Sequence, residues 1–410
     1  MNKMNNSRRN FIKKSAVGLA GVSILSSPFP LPGEDKPGVQ ETGKKGKIIT
    51  RVLGKTGLKL PVVSMGVMNA DNPNLVSAAL DAGIVMLDTA HAYQRGKNEE
   101  MIGQVIKDRP RDSFVIATKV AGDYLDRKTG LFTENTKAEA FMEKFSTSLK
   151  RLGLDHVDIL YLHSVVKRGA VLFEPLLNAM VKLKKEGKTR FIGVSTHRNE
   201  PEVLRAAADS KVHDVVLSAY NFRQPHIKEM HQAIAYAAKA GLGIIAMKTQ
   251  AGVYWDRERQ KQINMKAALK WALQNENVHT AIPGFTAFDQ MKLDISVMED
   301  LTLTAREKAD LDLGQELGMA GLYCQHCGKC LAQCRNNVDI PTFMRGYMYA
   351  YGYKNLSLAA ETLQAQLAED SHLVCKNCSG CTVKCTMGFD VRGKILDVAR
   401  IKEIPGDFLA

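Results

Sequence analysis

The sequence predicts an α/β protein in which a (β/α)8 barrel precedes a small helical domain. Two observations lead to this prediction. Between Ile48 and about Thr304, eight short apolar runs alternate with amphipathic stretches of helical length, as in parallel strands joined by helices. After residue 316, two short blocks contain all eight cysteines of the chain. We therefore expect a barrel at 48–316 and a cysteine-containing domain at 317–410, preceded by a leading segment at 1–33 and a linker at 34–47.

The apolar runs are rich in β-branched residues and have the length of strands. They are VVSMGV (62–67), VMLDTA (85–90), FVIATKV (114–120), VDILYLH (157–163), RFIGVST (190–196), DVVLSAY (214–220), LGIIAMK (242–248) and VHTAIPG (278–284). Helical stretches lie between them, and KAEAFMEKFSTSLKRLG ends at Gly153 as at a helix C-cap. A doubly wound sheet is the alternative. It needs a phosphate-binding turn after its first strand, and the nearest match, GLGIIA (241–246), leads into a strand instead.

Shorter elements flank the barrel. RVLGKTGLKLP (51–61) reads as a hairpin around a Lys-Thr-Gly turn. After the last strand, TAREKADLD (304–312) begins a polar helix, and NLSLAAETLQAQLAED (355–370) forms another helix between the two cysteine blocks. The second domain is therefore expected to be helical.

Composition indicates an ordinary folded protein and argues against one class of partner. The chain has 410 residues, of which 45% are hydrophobic and 24% charged, enough for one large and one small domain. The net charge is +13, but the leading segment contributes five positive charges and no acid. No basic run is interleaved with aromatic residues. We therefore expect no nucleic-acid partner.

The cysteines form two blocks with the same spacing, C-x2-C-x2-C-x3-C. They are Cys324, Cys327, Cys330 and Cys334 in the first block and Cys375, Cys378, Cys381 and Cys385 in the second. This is the spacing of bacterial ferredoxins, in which the fourth thiolate can reach the other cluster. Two four-cysteine zinc sites are the alternative, but those usually use separated C-x2-C pairs. We expect a ferredoxin-like domain with two [4Fe-4S] clusters, although Arg335 and Thr386 replace the proline that often follows the fourth cysteine.

The leading segment reads SRRNFIKKSAVGLAG from Ser7 to Gly21, with an arginine pair before a short apolar run. This layout resembles a twin-arginine export signal. The apolar run, 16–27, has 12 residues, too few for the ~20 that span a bilayer. Because that route carries folded proteins, clusters assembled in the reducing cytoplasm would travel with the chain. We expect the twin-arginine machinery to deliver it to the periplasm, with membrane anchoring if the signal is not cleaved.

Polar residues end three of the predicted strands. They are Asp88 in MLDTAHAY, with Tyr93 in the loop that follows, Lys119 in VIATKV and His163 in ILYLHS. Catalytic groups of such barrels lie at the C-terminal strand ends. With these four residues in order, and with the hairpin at 51–61 and GVSTH at 193–197, residues 48–304 resemble the aldo-keto reductases. The resemblance implies a TIM barrel and an oxidoreductase that acts on a carbonyl or alcohol.

The residue types suggest a role for each of the four. A free tyrosine hydroxyl has a pKa of about 10, and a nearby ammonium lowers it. We expect Tyr93 to act as general acid and Lys119 to tune it. Asp88 would keep Lys119 charged and oriented, and His163 would hydrogen-bond the substrate oxygen.

The cofactor positions follow from the resemblance alone. Members of the family bind the nicotinamide with a Ser-Asn pair, a Gln and a stacking Tyr. In this sequence the corresponding positions hold Ser195, Thr196, Leu217 and Met247. The segment that grips the adenosine phosphate resembles IPGFTAFDQ (282–290), which lacks the cations of NADP-binding members. NAD(H) is therefore favoured over NADP(H). The expected contacts are Ser195, Thr196, Met247, Lys248, Gly284 and Gln290.

Two functions from different classes remain open at this point. The first is an exported oxidoreductase on a small-molecule carbonyl or alcohol, with two clusters that relay electrons to or from a redox partner protein. The second is an electron-transfer or binding module whose barrel has lost its dependence on nicotinamide. Clusters that only stabilise the C-terminal domain would fit the same sequence.

Overall fold

The computed structural model describes residues 47–126, 129–252, 262–316, 324, 327–406 and 409. All of them belong to one compact unit, which spans Lys47–Ala410. The predicted export signal and all but the last residue of the predicted linker lie outside these ranges. Within them, no helix is both long and apolar enough to cross a bilayer.

The strands comprise one eight-stranded parallel sheet and two short hairpins. In chain order they are β1 (Thr50–Val52), β2 (Lys59–Pro61), β3 (Met65–Gly66), β4 (Met86–Asp88), β5 (Val115–Val120), β6 (Leu125–Asp126), β7 (Leu131–Phe132), β8 (Val157–Leu162), β9 (Thr189–Thr196), β10 (Val215–Ala219), β11 (Gly243–Met247) and β12 (Thr280–Ala281). The large sheet has the order β12-β11-β10-β9-β8-β5-β4-β3, and all its neighbours are parallel. Each predicted apolar run therefore contributes one strand.

The sheet closes into a barrel between its first and last strands. Val63 and Ala281 form a parallel bridge, and the Ser64 amide donates to the carbonyl oxygen of Ala281 over 2.8 Å. This seam is short, so β3 and β12 have two residues each and are much shorter than the apolar runs that predict them. The (β/α)8 barrel predicted from the sequence is confirmed.

Helices follow the strands and continue into the C-terminal part. They are α1 (Pro73–Asp81), α2 (Lys97–Ile106), α3 (Ala138–Leu152), α4 (Arg168–Val171), α5 (Glu174–Lys185), α6 (Glu200–Ser210), α7 (Ile227–Lys239), α8 (Met265–Gln274), α9 (Phe288–Ile295), α10 (Ala305–Glu316), α11 (Ile340–Tyr347), α12 (Leu356–Ala368), α13 (Ser371–Asn377) and α14 (Val391–Ala399). Gly153 ends α3 with φ 67°, a left-handed conformation that glycine adopts without strain.

The hairpin β1–β2 plugs the N-terminal end of the barrel. Leu53 and Leu60 are fully buried and pack in the barrel interior with Met86 and Ile245. At the turn, Gly54 lies so close to the backbone of Gly243 that a Cβ atom would collide with it. The hairpin therefore fills this end with apolar side chains, and the polar strand ends lie at the opposite, C-terminal end.

The C-terminal part has its own apolar core, built from α11, α12, α14 and the loops that carry the cysteines. Phe343, Leu363 and Ile395 are fully buried in it, and Met68, from the loop after β3, packs against it. Helix α11 continues through a π-helical turn at Met348–Gly352. Because Met68 follows a barrel strand, this contact attaches the helical part to the C-terminal end of the barrel.

Candidate active site

The four polar residues predicted from the strand ends come together. Asp88 ends β4, Lys119 lies near the end of β5, and His163 directly follows β8. These three strands are neighbours in the order β8-β5-β4. Tyr93 begins a 3-10 turn five residues after Asp88. The geometry thus places one residue from each of three adjacent strands, and one from the following loop, at the same end of the barrel.

Lys119 connects the other members of the set. Its ammonium forms a buried ion pair with Asp88 and donates to the carbonyl oxygen of Thr89 over 2.7 Å. The same nitrogen lies 3.3 Å from the Tyr93 hydroxyl and 4.8 Å from the centre of the Tyr93 ring. With three partners, the ammonium is fixed between the carboxylate and the phenol.

His163 faces the other side of Tyr93. The two ring centres are 6.0 Å apart and the rings meet at 78°. Burial lowers the pKa of His163 to about 3, and the positive charges of Lys119 and Arg345 act in the same direction. The imidazole is therefore neutral at neutral pH, with one ring nitrogen able to donate and the other able to accept.

Burial decides the protonation state of Tyr93. It raises the pKa of the hydroxyl, and although Lys119 opposes this, the pKa lies above its ordinary value. Lys119 thus lowers the pKa of Tyr93 as the sequence analysis expects, but the net direction is upward, because the cost of desolvating a phenolate exceeds the stabilisation by one ammonium. Burial alone would lower the pKa of Lys119, but Asp88 and Tyr93 outweigh it and keep the lysine charged. The phenol is protonated beside a cation.

The loop that carries Tyr93 has a strained backbone. Gln94 and Arg95 have φ values of 50° and 55°, a left-handed conformation that costs about 1–2 kcal/mol for a residue with a Cβ. The Gln94 side-chain amide donates to the carbonyl oxygens of Met68 and Ala70 over 3.1 and 3.3 Å. These bonds hold the turn and thereby fix the direction of the Tyr93 side chain.

Asn98, which was not predicted from the sequence, stabilises the loops around Tyr93 through hydrogen bonds. It is fully buried in α2 and accepts a 2.6 Å hydrogen bond from the Thr89 hydroxyl. Its amide donates to the carbonyl oxygens of Val67 and Ala70 over 2.8 and 3.1 Å. The sequence shows an asparagine early in an amphipathic helix, but asparagine at such a position is also common on helix surfaces, so the sequence alone does not indicate that it is buried.

Comparison with known proteins decides the family of this site. The profile of the Aldo/keto reductase family matches residues 64–267. A protein described as an aldo-keto reductase from Mycobacterium sp. (strain KMS) is 30% identical over 64% of this chain and 93% of its own length. The chain belongs to the aldo/keto reductase family. This reductase is therefore an oxidoreductase, and the catalytic roles of Asp88, Tyr93, Lys119 and His163 stay a prediction that their proximity makes possible.

Two further similarities extend the comparison. The reductase is 28% identical to L-galactose dehydrogenase of Arabidopsis thaliana over 62% of this chain and 89% of that protein. Its fold is similar to that of an aldo-keto reductase from Klebsiella pneumoniae in complex with NADPH, with a TM-score of 0.50 and 23% identity over 65% of this chain and 94% of the other. All of these matches leave a third or more of the reductase uncovered.

The predicted nicotinamide contacts are buried in the barrel. Ser195 and Thr196 have no exposed surface. The Ser164 amide donates to the Ser195 hydroxyl over 2.9 Å, and the Thr196 hydroxyl donates to the carbonyl oxygen of Arg198 over 2.8 Å. Leu217 and Met247 pack in the apolar interior. Both hydroxyls are thus bonded within the protein, and the other two side chains carry no group that hydrogen-bonds an amide; the contacts of Ser195, Thr196 and Met247 with a nicotinamide stay a prediction.

The remaining predicted cofactor contacts are more accessible. Gly284 and Gln290 are exposed, and the Gln290 side-chain oxygen accepts a 2.9 Å hydrogen bond from the Thr286 amide, which closes the turn before α9. Lys248 follows β11 with φ 55° and is half-buried. Burial and the charge of Arg345 lower its pKa to about 8. Residues 282–290 contain no cation for a 2′-phosphate, and Lys248 faces the C-terminal helices.

The eight cysteines form no disulfide bonds with one another and lie in two mixed groups. Each group combines three cysteines of one block with the fourth of the other: Cys330 interacts with Cys324, Cys327 and Cys385, whereas Cys375 interacts with Cys334, Cys378 and Cys381. Burial, followed by the neighbouring thiols, raises the pKa of Cys330 to about 12 and that of Cys375 to about 11. Among the described residues, no three His, Cys, Asp or Glu side chains form a group that could hold a single metal ion.

Direct contacts between the blocks support this grouping. The Cys327 sulfur lies 3.5 Å from the Thr386 hydroxyl, next to Cys385, and the Gln333 side-chain oxygen accepts a 2.7 Å hydrogen bond from the Lys384 amide. On the other side, the Asn336 amide lies 4.0 Å from the Cys378 sulfur. The four cysteines of the first group line a common cavity with Met344 and Met387. Each block is thus tied to the other close to its fourth cysteine.

The C-terminal helices bring further polar residues to the tetrad, and the sequence analysis missed them. The positive charge of Arg345, in α11, acts on His163, Lys248 and Arg198. Tyr349, one π-helical turn later and 9% exposed, interacts with both Arg345 and Tyr93. The signal was present, because Arg345 is the single charged residue between Asp339 and Lys354 in an otherwise apolar run. Its position above the barrel was not readable from the sequence.

The neutral state of His163 has a consequence for stability. Its pKa in the folded chain lies near 3, whereas an unfolded histidine has a pKa of about 6.5. Between these values the unfolded state binds more protons, so acidification favours unfolding by up to about 1.4 kcal/mol per pH unit. We expect a His163→Asn variant to lose less stability than the unmodified reductase between pH 6.5 and 5, as measured by anaerobic urea unfolding. Parallel stability curves would contradict the assigned pKa.

Proposed function

We propose that this reductase is exported in folded form and carries two [4Fe-4S] clusters that exchange electrons with a partner protein while the barrel interconverts a carbonyl and an alcohol. The observation that carries the catalytic part is the position of Lys119, whose ammonium contacts both Asp88 and the hydroxyl of Tyr93. The cysteine spacing supports the two clusters, and the leading segment supports the export. Periplasmic location, or anchoring through an uncleaved signal, belongs to the same proposal.

Reduction of a carbonyl to an alcohol takes two electrons and two protons, and the tetrad can supply the proton that the carbonyl oxygen receives. The hydrogen at carbon would come as hydride from a reduced nicotinamide, or as two single electrons from the clusters together with a proton from water. The half-buried Tyr93 hydroxyl is protonated and donates to the oxygen, and Lys119, 3.3 Å away, stabilises the phenolate that forms. Asp88 maintains the charge and orientation of Lys119. His163, neutral and across the Tyr93 ring, hydrogen-bonds the same oxygen and fixes its angle. In the direction of alcohol oxidation, the Tyr93 phenolate accepts the proton.

The mixed grouping of the cysteines supports the two clusters. A ferredoxin-like domain uses three thiolates of one block and the fourth of the other for each cluster, and Cys385 and Cys334 lie beside the opposite blocks. Such clusters would supply one-electron transfer. The thiols of the first group interact with Arg198 and Lys248 on the barrel loops, so the first site lies on the side of the domain that faces the barrel.

A specific observation favours the second function, a cluster protein whose barrel no longer depends on nicotinamide. The Ser195 and Thr196 hydroxyls are buried and hydrogen-bonded to the loop backbone, and Leu217 and Met247 provide no polar group. The tetrad remains complete, which argues for retained chemistry on a carbonyl. Both functions allow carbonyl reduction, so the two are distinguished by the source of the electrons and not by the presence of activity.

If a nicotinamide nucleotide binds, we expect NADH to bind at least as tightly as NADPH. Residues 282–290 provide Gly284 and Gln290 but no cation, and a charge-assisted phosphate contact is worth about 1.5–3 kcal/mol, or roughly tenfold or more in affinity. Calorimetric titration of the anaerobically purified protein with each nucleotide measures this. Lys292, exposed in α9, is the nearby cation that could rescue phosphate binding, so Lys292→Gln is titrated in parallel. Clearly tighter binding of NADPH would overturn the assignment of this segment.

The same preparation tests the proposed function through its electron donor. Carbonyl reduction is assayed with NADH, with NADPH and with reduced methyl viologen, which supplies single electrons. Turnover with viologen supports clusters that relay electrons into the barrel. Turnover with NADH or NADPH, but not with reduced methyl viologen, would assign the clusters a stabilising role. The absence of carbonyl turnover with all three donors would contradict the reductase function.

A further inference from the structure

The C-terminal helices contribute a cation to the space above the tetrad. Arg345 and Tyr349 are four residues apart, a spacing that places two side chains on one face of a helix. The π-helical turn at Met348–Gly352 begins between them, and such turns are frequent at functional sites. Tyr349 interacts with Tyr93, and Arg345 acts on His163. The two side chains therefore border the place where a carbonyl substrate of the tetrad would lie.

Arg345 differs from the other cations of this region in its contacts among the described residues. It is half-buried, and its guanidinium forms no hydrogen bond or ion pair with the part of the chain that the structure describes. Its positive charge also acts on two other cations, Arg198 and Lys248. Because a half-buried guanidinium without a hydrogen-bonded carboxylate is stabilised by a nearby anion, Arg345 is suited to bind an anionic group of a ligand.

The two neighbouring cations have anionic groups of their own. Arg198 interacts with Asp339 and with Cys324 and Cys330 of the first cysteine group. Lys248 interacts with Cys324 and with Glu200. These two residues are therefore matched to the cysteine site and to fixed carboxylates. Arg345 faces the tetrad instead.

We propose that Arg345 binds a carboxylate of the substrate, and that the reductase selects carbonyl or alcohol compounds that carry an acid group. This inference rests on the proposed function of the tetrad. A guanidinium matches a carboxylate with two parallel hydrogen bonds, which fixes the orientation of the bound group as well as its charge. With the carboxylate held by Arg345, the carbonyl oxygen of the same molecule faces His163 and Tyr93. A domain outside the barrel thus sets the substrate class.

The test compares substrates that differ in one charge. Phenylglyoxylate is paired with its neutral amide, and galacturonate with galactose, and kcat/KM is measured for each compound with whichever donor supports turnover. We expect the acid to be preferred in each pair and the preference to fall tenfold or more in Arg345→Gln. Arg345→Lys keeps the positive charge but lacks the two parallel donors of the planar guanidinium, and it should give an intermediate preference. Arg400→Gln changes an exposed arginine of the same domain and serves as the matched control.

Binding separates this inference from the proposed function. Calorimetric titration of the same acids into Tyr93→Phe and into Tyr93→Phe/Arg345→Gln requires no turnover. We expect the acids to bind at least tenfold more weakly when Arg345 is replaced. Thermal unfolding checks that each variant is folded. The inference is overturned if the neutral member of each pair is bound as well as the acid, or if Arg345→Gln weakens acids and neutral compounds equally. Acid-selective binding by the unmodified protein, without turnover of any of these compounds with any of the three donors, would instead contradict the role of the tetrad and leave this inference standing.

Discussion

Replacing Tyr93 with phenylalanine is expected to lower carbonyl reduction by about a hundredfold or more, while the fold, and the content of any bound iron, stay unchanged. The substitution removes only the hydroxyl, which lies 3.3 Å from the Lys119 ammonium, and keeps the ring that packs beside His163. General acid catalysis contributes about 10²–10⁴ in rate. The measurement is kcat for a carbonyl compound, with visible absorbance and thermal unfolding as checks on cluster content and folding.

Tyr161 provides a matched control for this substitution. It lies in β8, fully buried, and its hydroxyl has no hydrogen-bond partner among the described residues. Tyr161→Phe therefore removes the same atom from another tyrosine of the barrel interior without removing a hydrogen bond, and stability should be kept or slightly increased. Activity of Tyr93→Phe within about tenfold of the unmodified enzyme would show that another group donates the proton.

The tetrad could be predicted from the sequence because of where parallel strands end. Asp88, Lys119 and His163 each lie at the end of an apolar run, and in a closed parallel barrel all strand ends lie on one side. Alternation of strands and helices therefore fixes their proximity without any knowledge of side-chain contacts. The short seam strands β3 and β12 were less predictable, since apolar residues continue beyond the two that pair in each strand.

The electrostatics and the C-terminal contribution depend on distances that no local pattern contains. The sequence places an ammonium near Tyr93, but the degree of burial, which sets the direction of the pKa shift, arises from packing of the whole barrel end. Arg345 follows His163 by 182 residues in the chain, and only docking of the helical part onto the barrel makes them neighbours. For the same reason, the predicted nicotinamide positions could be aligned with the family but not tested for exposure.

The cysteine grouping leads to a second prediction with a large effect. If all eight cysteines bind two [4Fe-4S] clusters, the anaerobically purified chain contains about eight irons and eight labile sulfides. Stoichiometric zinc without visible cluster absorbance would contradict the clusters. Replacement of one cysteine by serine should remove one cluster, or about half of the iron. The single variants therefore count the clusters, but they do not show which cysteines share one.

Double variants distinguish the mixed grouping from two separate blocks. Cys334 interacts with Cys375 of the other block, whose group includes Cys378, whereas Cys327 belongs to the group that Cys385 completes. We expect Cys334→Ser/Cys378→Ser to retain about half of the iron, because both substitutions affect one cluster. Cys334→Ser/Cys327→Ser should lose nearly all of it, although both residues lie in the first block. If the first pair loses nearly all the iron and the second retains half, each block binds its own cluster and the mixed grouping is wrong. Iron and sulfide analysis after anaerobic reconstitution gives the answer without any assay of activity, because the two groupings predict opposite results for the same two proteins.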